Sequence, residues 1–183
     1  MNGASFQPGR PRTFKHPGRP NPVRIQSENS REARHVRLAL QPGSSLFDAM
    51  VNSLARIGIE NASFTILGGV FENLDYCVAP PDPKKHSVIA YTKPIKAGKT
   101  YMVFGNATLG ESMEGQPLVH CHAVILGEDG KIRGGHILTE SCIIGAKPIS
   151  ALVTSLEGFK LVQSFDAETN IPLLQPVREQ KNG

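Results

Sequence analysis

From residue 62 to residue 163 the chain breaks into short runs of β-branched and aromatic residues, separated by Gly, Pro, Asp or Asn. The runs span residues 62–71, 75–78, 87–92, 100–109, 118–126, 131–138, 150–156 and 160–163. Runs of this length and content, bounded by turn formers, predict strands. Upstream, residues 35–40 alternate polar and apolar side chains and stop at Pro42-Gly43, which adds one more strand. A single segment carries helical periodicity. Ser44 or Ser45 offers an N-cap, Asp48 sits in the first turn, and Leu46, Met50, Leu54 and Ile57 recur on one face before Gly58, predicting a helix over about 45–57. One early helix with many short strands implies an α+β fold: a mostly antiparallel sheet of about six to eight strands with one main helix.

The 183 residues suit one domain with appended segments. Residues 1–34 hold five prolines and three glycines with almost no apolar periodicity, so they read as a flexible basic arm. Residues 35–176 form the domain and 177–183 a polar tail. The net charge of +4 is unevenly spread. Residues 1–37 carry eight Lys/Arg against two Glu, a net of +6, while the other 146 residues carry 12 basic and 14 acidic side chains, a net of −2. Any pull toward phosphate therefore belongs to the arm, where Arg10, Arg12, Lys15, Arg19 and Arg24 are the candidate nucleic-acid contacts. Three cysteines, Cys77, Cys121 and Cys142, show no paired spacing, which favours a reducing, cytoplasmic setting. No stretch approaches the roughly 18 apolar residues of a membrane span, and no secretory signal opens the chain, so no membrane partner is expected.

Residues 117–126 read Pro-Leu-Val-His-Cys-His-Ala-Val-Ile-Leu. In a strand, positions i and i+2 share a face, so His120 and His122 project together while Cys121 points to the other side. After the Glu128-Asp129-Gly130 turn, Gly134-Gly135-His136 follows. If the two runs pair as a hairpin, His136 reaches the same face where the register permits, and the two glycines allow a bulge or a close backbone approach. Three neutral imidazoles with an open position suit a divalent metal, zinc first. The alternative for the same residues is a set of hydrogen-bonded imidazoles in a pocket or at a subunit interface.

The H-x-H strand after a proline, followed by G-G-H, resembles the plants and prokaryotes conserved (PPC) domain over roughly residues 35–165. Residues 43–59 are similar to that family's early helix, and Phe64-Thr65-Ile66-Leu67-Gly68-Gly69 to its glycine-closed strand. The resemblance implies a compact α+β domain that assembles as a homotrimer, with the histidines near a subunit boundary. Plant members carry AT-hooks and bind DNA in the nucleus, and prokaryotic members are often stand-alone candidate DNA-binding proteins. Two departures stand out. Pro8-Gly9-Arg10-Pro11 and Pro17-Gly18-Arg19-Pro20 both lack the first Arg of the AT-hook core Arg-Gly-Arg-Pro, and Lys99-Thr100-Tyr101-Met102-Val103 lacks the acidic residue of the plant segment.

Three functions compete on these residues. The first is a DNA-associated or regulatory protein whose arginines enter an A·T-rich minor groove. The second is a metal-dependent enzyme or small-molecule binder built on His120, His122 and His136. The third is a scaffolding trimer whose partner is another protein.

Overall fold

The computed structural model describes residues 14–23 and 26–178. In chain order the elements are β1 (His35–Leu40), α1 (Leu46–Ala55), β2 (Ala62–Ile66), β3 (Gly69–Cys77), β4 (Ile95–Glu111), β5 (Pro117–Gly127), β6 (Ile132–Ile137), β7 (Ile143–Ile144), β8 (Ile149–Ser155), β9 (Phe159–Asp166) and β10 (Ile171–Arg178). All strands pair antiparallel except for one parallel bridge between Glu111 and Val162. The sheet runs β1-β8-β2-β4-β5-β6-β3-β7, with the β9–β10 hairpin leaning on β4.

The long strand β4 organises the sheet. One of its edges carries β5 from Thr100 to Glu111; along the other, β2 pairs with its C-terminal part and β3 with its N-terminal part. The step from β2 to β3 falls at Gly68, where φ is +95° and a Cβ would lie 2.7 Å from the Met102 carbonyl oxygen, so no other residue fits without strain. The run expected at 62–71 is therefore two strands. Because β3 also pairs with β6 through Tyr76 and Cys77, strands β3, β4, β5 and β6 close into a small ring.

The helix begins where expected: Ser45 accepts from the Asp48 amide at 3.0 Å, a cap of about 1 kcal/mol. It ends at Ala55, so Ile57 lies beyond it and is exposed. Leu46, Met50 and Leu54 are fully buried against the inner face of the sheet, together with Phe64, Ile66, Phe71, Met102 and Ile125. Each such side chain stabilises the fold by about 1.5–3 kcal/mol.

Among the described residues there are ten strands against the six to eight expected, because β7 has only two residues and β10 is broken in sequence by Pro172 and Pro176. Its last residues, Val177 and Arg178, extend into the segment read as a polar tail. Residues 87–92 are not a strand. They belong to a flap, residues 78–94, closed at its base by Thr92 N donating to the Val78 carbonyl and Ala90 N to the Pro80 carbonyl, both at 2.9 Å. Among the described residues, no helix is long and apolar enough to cross a membrane.

Residues 14–23 lie along the β9–β10 hairpin. Gly18 N donates to the Glu168 carbonyl at 2.9 Å, and the Glu168 carboxylate meets His16 Nδ1 at 2.6 Å and accepts from the Asn21 amide. A Cβ on Gly18 would collide with the Ala167 carbonyl oxygen, so the glycine of Pro17-Gly18-Arg19-Pro20 is what lets this strap seat.

Candidate metal centre

The site grows from the alternation of β5. Val119, Cys121, Ala123 and Ile125 are buried in the core, so His120, His122, Val124 and Leu126 stand on the outer face. Strand β6 pairs with β5 in a register that sets His136 directly opposite His122. No bulge interrupts that pairing. The two glycines before His136 serve close approach instead: a Cβ at Gly134 would come 2.6 Å from the Ala123 carbonyl oxygen, and one at Gly135 would collide with that of Cys77. Strand β6 is thus drawn tightly between β5 and β3, and His136 is carried with it.

The three rings form a compact group. Ring centroids of His120 lie 4.8 Å from those of both His122 and His136, and His122 and His136 are 5.5 Å apart at 83°. One nitrogen from each lies within 4.8 Å of the others. Burial, with His136 and His122 alongside, lowers the His120 pKa to about 4, and burial followed by His122 lowers that of His136. Both shifts favour the neutral form of His120 and His136, the form that binds a metal. Among the described residues, His136 Nδ1 is buried without a hydrogen-bond partner. A buried, unpartnered nitrogen beside two further imidazoles fits a metal ion, because coordination satisfies a group that otherwise costs free energy to bury. The three histidines can therefore hold a metal.

Cys121 lies on the core side, where burial and then Cys142 push its thiol up to about 12, so it is packing and not a ligand. Among the described residues no other His, Cys, Asp or Glu joins the group, Glu128 and Glu140 included. Asn106 pairs with His122 and Thr108 with His120, which sets two polar side chains of β4 beside the rings. Tyr91, from the flap, packs at a tilt against His136 with centroids 5.2 Å apart. Sequence reading misses Tyr91, because residues 87–92 read as a strand and nothing local ties them to β6. Lys15 and Arg19 are exposed on the strap, whereas Arg10, Arg12 and Arg24 lie outside the described residues.

The Plants and Prokaryotes Conserved (PCC) domain model matches residues 27–156, most of the chain and all of β1 to β8. The chain belongs to this family. The match includes all three histidines and ends before the β9–β10 hairpin that holds the strap. Several solved structures share the PCC fold. A metal-containing protein from Archaeoglobus fulgidus is 18% identical, with a TM-score of 0.63 over 82% of this chain and 98% of that one. A plant- and prokaryote-conserved protein from Pyrococcus horikoshii is 18% identical, with a TM-score of 0.58 over 85% of this chain and 98% of that one. A protein named as a candidate DNA-binding protein, from Ralstonia eutropha JMP134, is also 18% identical, with a TM-score of 0.59 over 75% and 88%. No curated protein matches this PCC chain.

Proposed function

We propose that the chain is a DNA-associated regulatory protein that works as a homotrimer, with His120, His122 and His136 holding a divalent ion, zinc first. The observation that carries the reading is the gathering of three imidazoles on one face of the β5–β6 pair, one with a buried nitrogen that has no hydrogen-bond partner among the described residues. When bound, such an ion serves as a structural anchor or polarises a coordinated ligand. The metal-containing relative and the candidate DNA-binding relative support the two halves of the proposal.

Self-association is supported by what flanks the histidines. Val124, 42% exposed, pairs with Phe104, 47% exposed, and Leu126 pairs with both Tyr101 and Ile132, all on the outer face. A contiguous apolar face of this kind marks an interaction surface, and a second and third copy would put the histidines at subunit boundaries. Unpaired buried cysteines support a cytoplasmic setting.

The DNA half rests on the arm, residues 1–34, and is tested by duplex binding of the wild type against a variant with Arg10, Arg12, Lys15, Arg19 and Arg24 all changed to Gln. The variant is expected to bind weakly, with the slope of log affinity on log salt reduced by about 0.9 per lost phosphate contact. Equal affinity and slope would remove the arm from the proposal. A second reading, a metal-dependent enzyme or small-molecule binder, is favoured by Asn106 and Thr108, which offer hydrogen bonds beside the rings. Metal analysis of the trimer with and without co-purified small molecules separates the two.

A further inference from the structure

We propose that Tyr91 is the positioning residue of the three-histidine centre, holding His136 in its ligating orientation from the 78–94 flap. The inference rests on the metal-site reading above. Metal-bound histidines are commonly oriented by a hydrogen bond at the second ring nitrogen. Among the described residues neither ring nitrogen of His136 makes a hydrogen bond, so whichever one coordinates, packing has to orient the ring. Tyr91 supplies that packing on one side, 5.2 Å away and tilted by 43°, while His120 and His122 enclose the other side.

The tyrosine is a placed group, although its side chain is 53% exposed. On either side of it, Ala90 N and Thr92 N both donate across the flap, and Val78 N donates to Thr92 Oγ1 at 3.2 Å. At the tip, the Asp82 carboxylate accepts from the amides of Lys84, His86 and Ser87. Along its length, Val88 N donates to the Thr169 carbonyl, and Asn170 Nδ2 donates to the His86 carbonyl, which moors the flap to the β9–β10 turn. The flap also leaves β3 directly after Cys77, the main-chain partner of His136. Tyrosine and histidine therefore share one backbone frame, and a ring held this firmly can fix its neighbour.

The test is a Co2+ titration of wild type, Tyr91→Phe and Tyr91→Ala, following affinity and the visible absorption bands of the bound ion, with far-UV circular dichroism to verify the fold. Phe is expected to match wild type within about twofold with the same spectrum, since it keeps the ring. Ala is expected to lower affinity by about 10-fold or more, the range of outer-sphere changes, and to shift the bands because His136 is no longer fixed. Wild-type affinity and spectrum in the Ala variant would overturn the proposal, as would a Phe variant as impaired as Ala, which would assign the effect to the hydroxyl. If Ala fails to fold, Tyr91→Leu replaces it under the same criteria. Failure of the wild type itself to bind Co2+ sinks the metal-site reading and this inference with it, whereas binding that is indifferent to Tyr91 sinks this inference alone.

Discussion

His122 and His136 are direct partners across β5 and β6, so two imidazoles 14 positions apart in sequence meet edge to face at 5.5 Å. Strand pairing has a side-chain period of two, so a slip of one residue would turn His136 to the opposite face. The site depends on register as much as on residue identity.

Loss of a ligand should empty the centre. Zinc content of purified His122→Ala is expected to fall far below that of wild type, by more than the ~10–100-fold typical of outer-sphere changes, while His35→Ala retains it. Elemental analysis after dialysis checks this, and equal metal in both variants would rule out the assigned ligands.

The glycines before His136 should tolerate nothing larger. Gly135→Ala would force a methyl against the Cys77 carbonyl oxygen, in a strand held between two others. Overpacking of this kind costs about 1–3 kcal/mol, so the melting temperature is expected to drop and metal affinity with it. Gly130→Ala, at a turn with φ of +72° and open space for the methyl, should leave the centre's metal affinity unchanged.

Acid should destabilise the chelator-treated protein in a defined window. In the folded chain His120 titrates near 4, and when unfolded near 6.5. The unfolded state therefore takes up its proton first, and stability is expected to fall as pH drops from about 6.5 toward 4, staying level above that window. The shift of His136 acts in the same direction. Urea midpoints at several pH values test this, with His120→Gln expected to show the shallower decline.

Charge on the apolar outer face should dissociate the assembly. Phe104→Glu with Val124→Glu sets two carboxylates opposite one another on β4 and β5. Light scattering is expected to report three copies of the 19.8 kDa chain for wild type and one for the variant. A monomeric wild type would refute the trimer.

The cysteines should be silent toward thiol reagents. Burial is the leading cause that pushes Cys121 and Cys142 up to about 12 and raises Cys77 as well, and the thiolate is the reactive form. Colorimetric titration at pH 8 is expected to count almost none in the native protein and three after denaturation.

Local patterning made much of this protein legible. The alternation of residues 118–126 was enough to set His120 and His122 on one face and Cys121 on the other, and the Ser45 cap and helical spacing marked α1, because both signals depend on neighbours in the chain. The H-x-H and G-G-H segments likewise carried the family. Contacts between distant segments were not legible. The register that sets His136 against His122, the closing of β3 onto β6, the folding back of residues 78–94 so that Tyr91 meets that ring, and the seating of Gly18 against Ala167 all depend on which edges are free once the core has packed. A periodic sequence states which side of a strand is buried; which strand lies beside it is settled by the tertiary packing that removes the apolar faces from water.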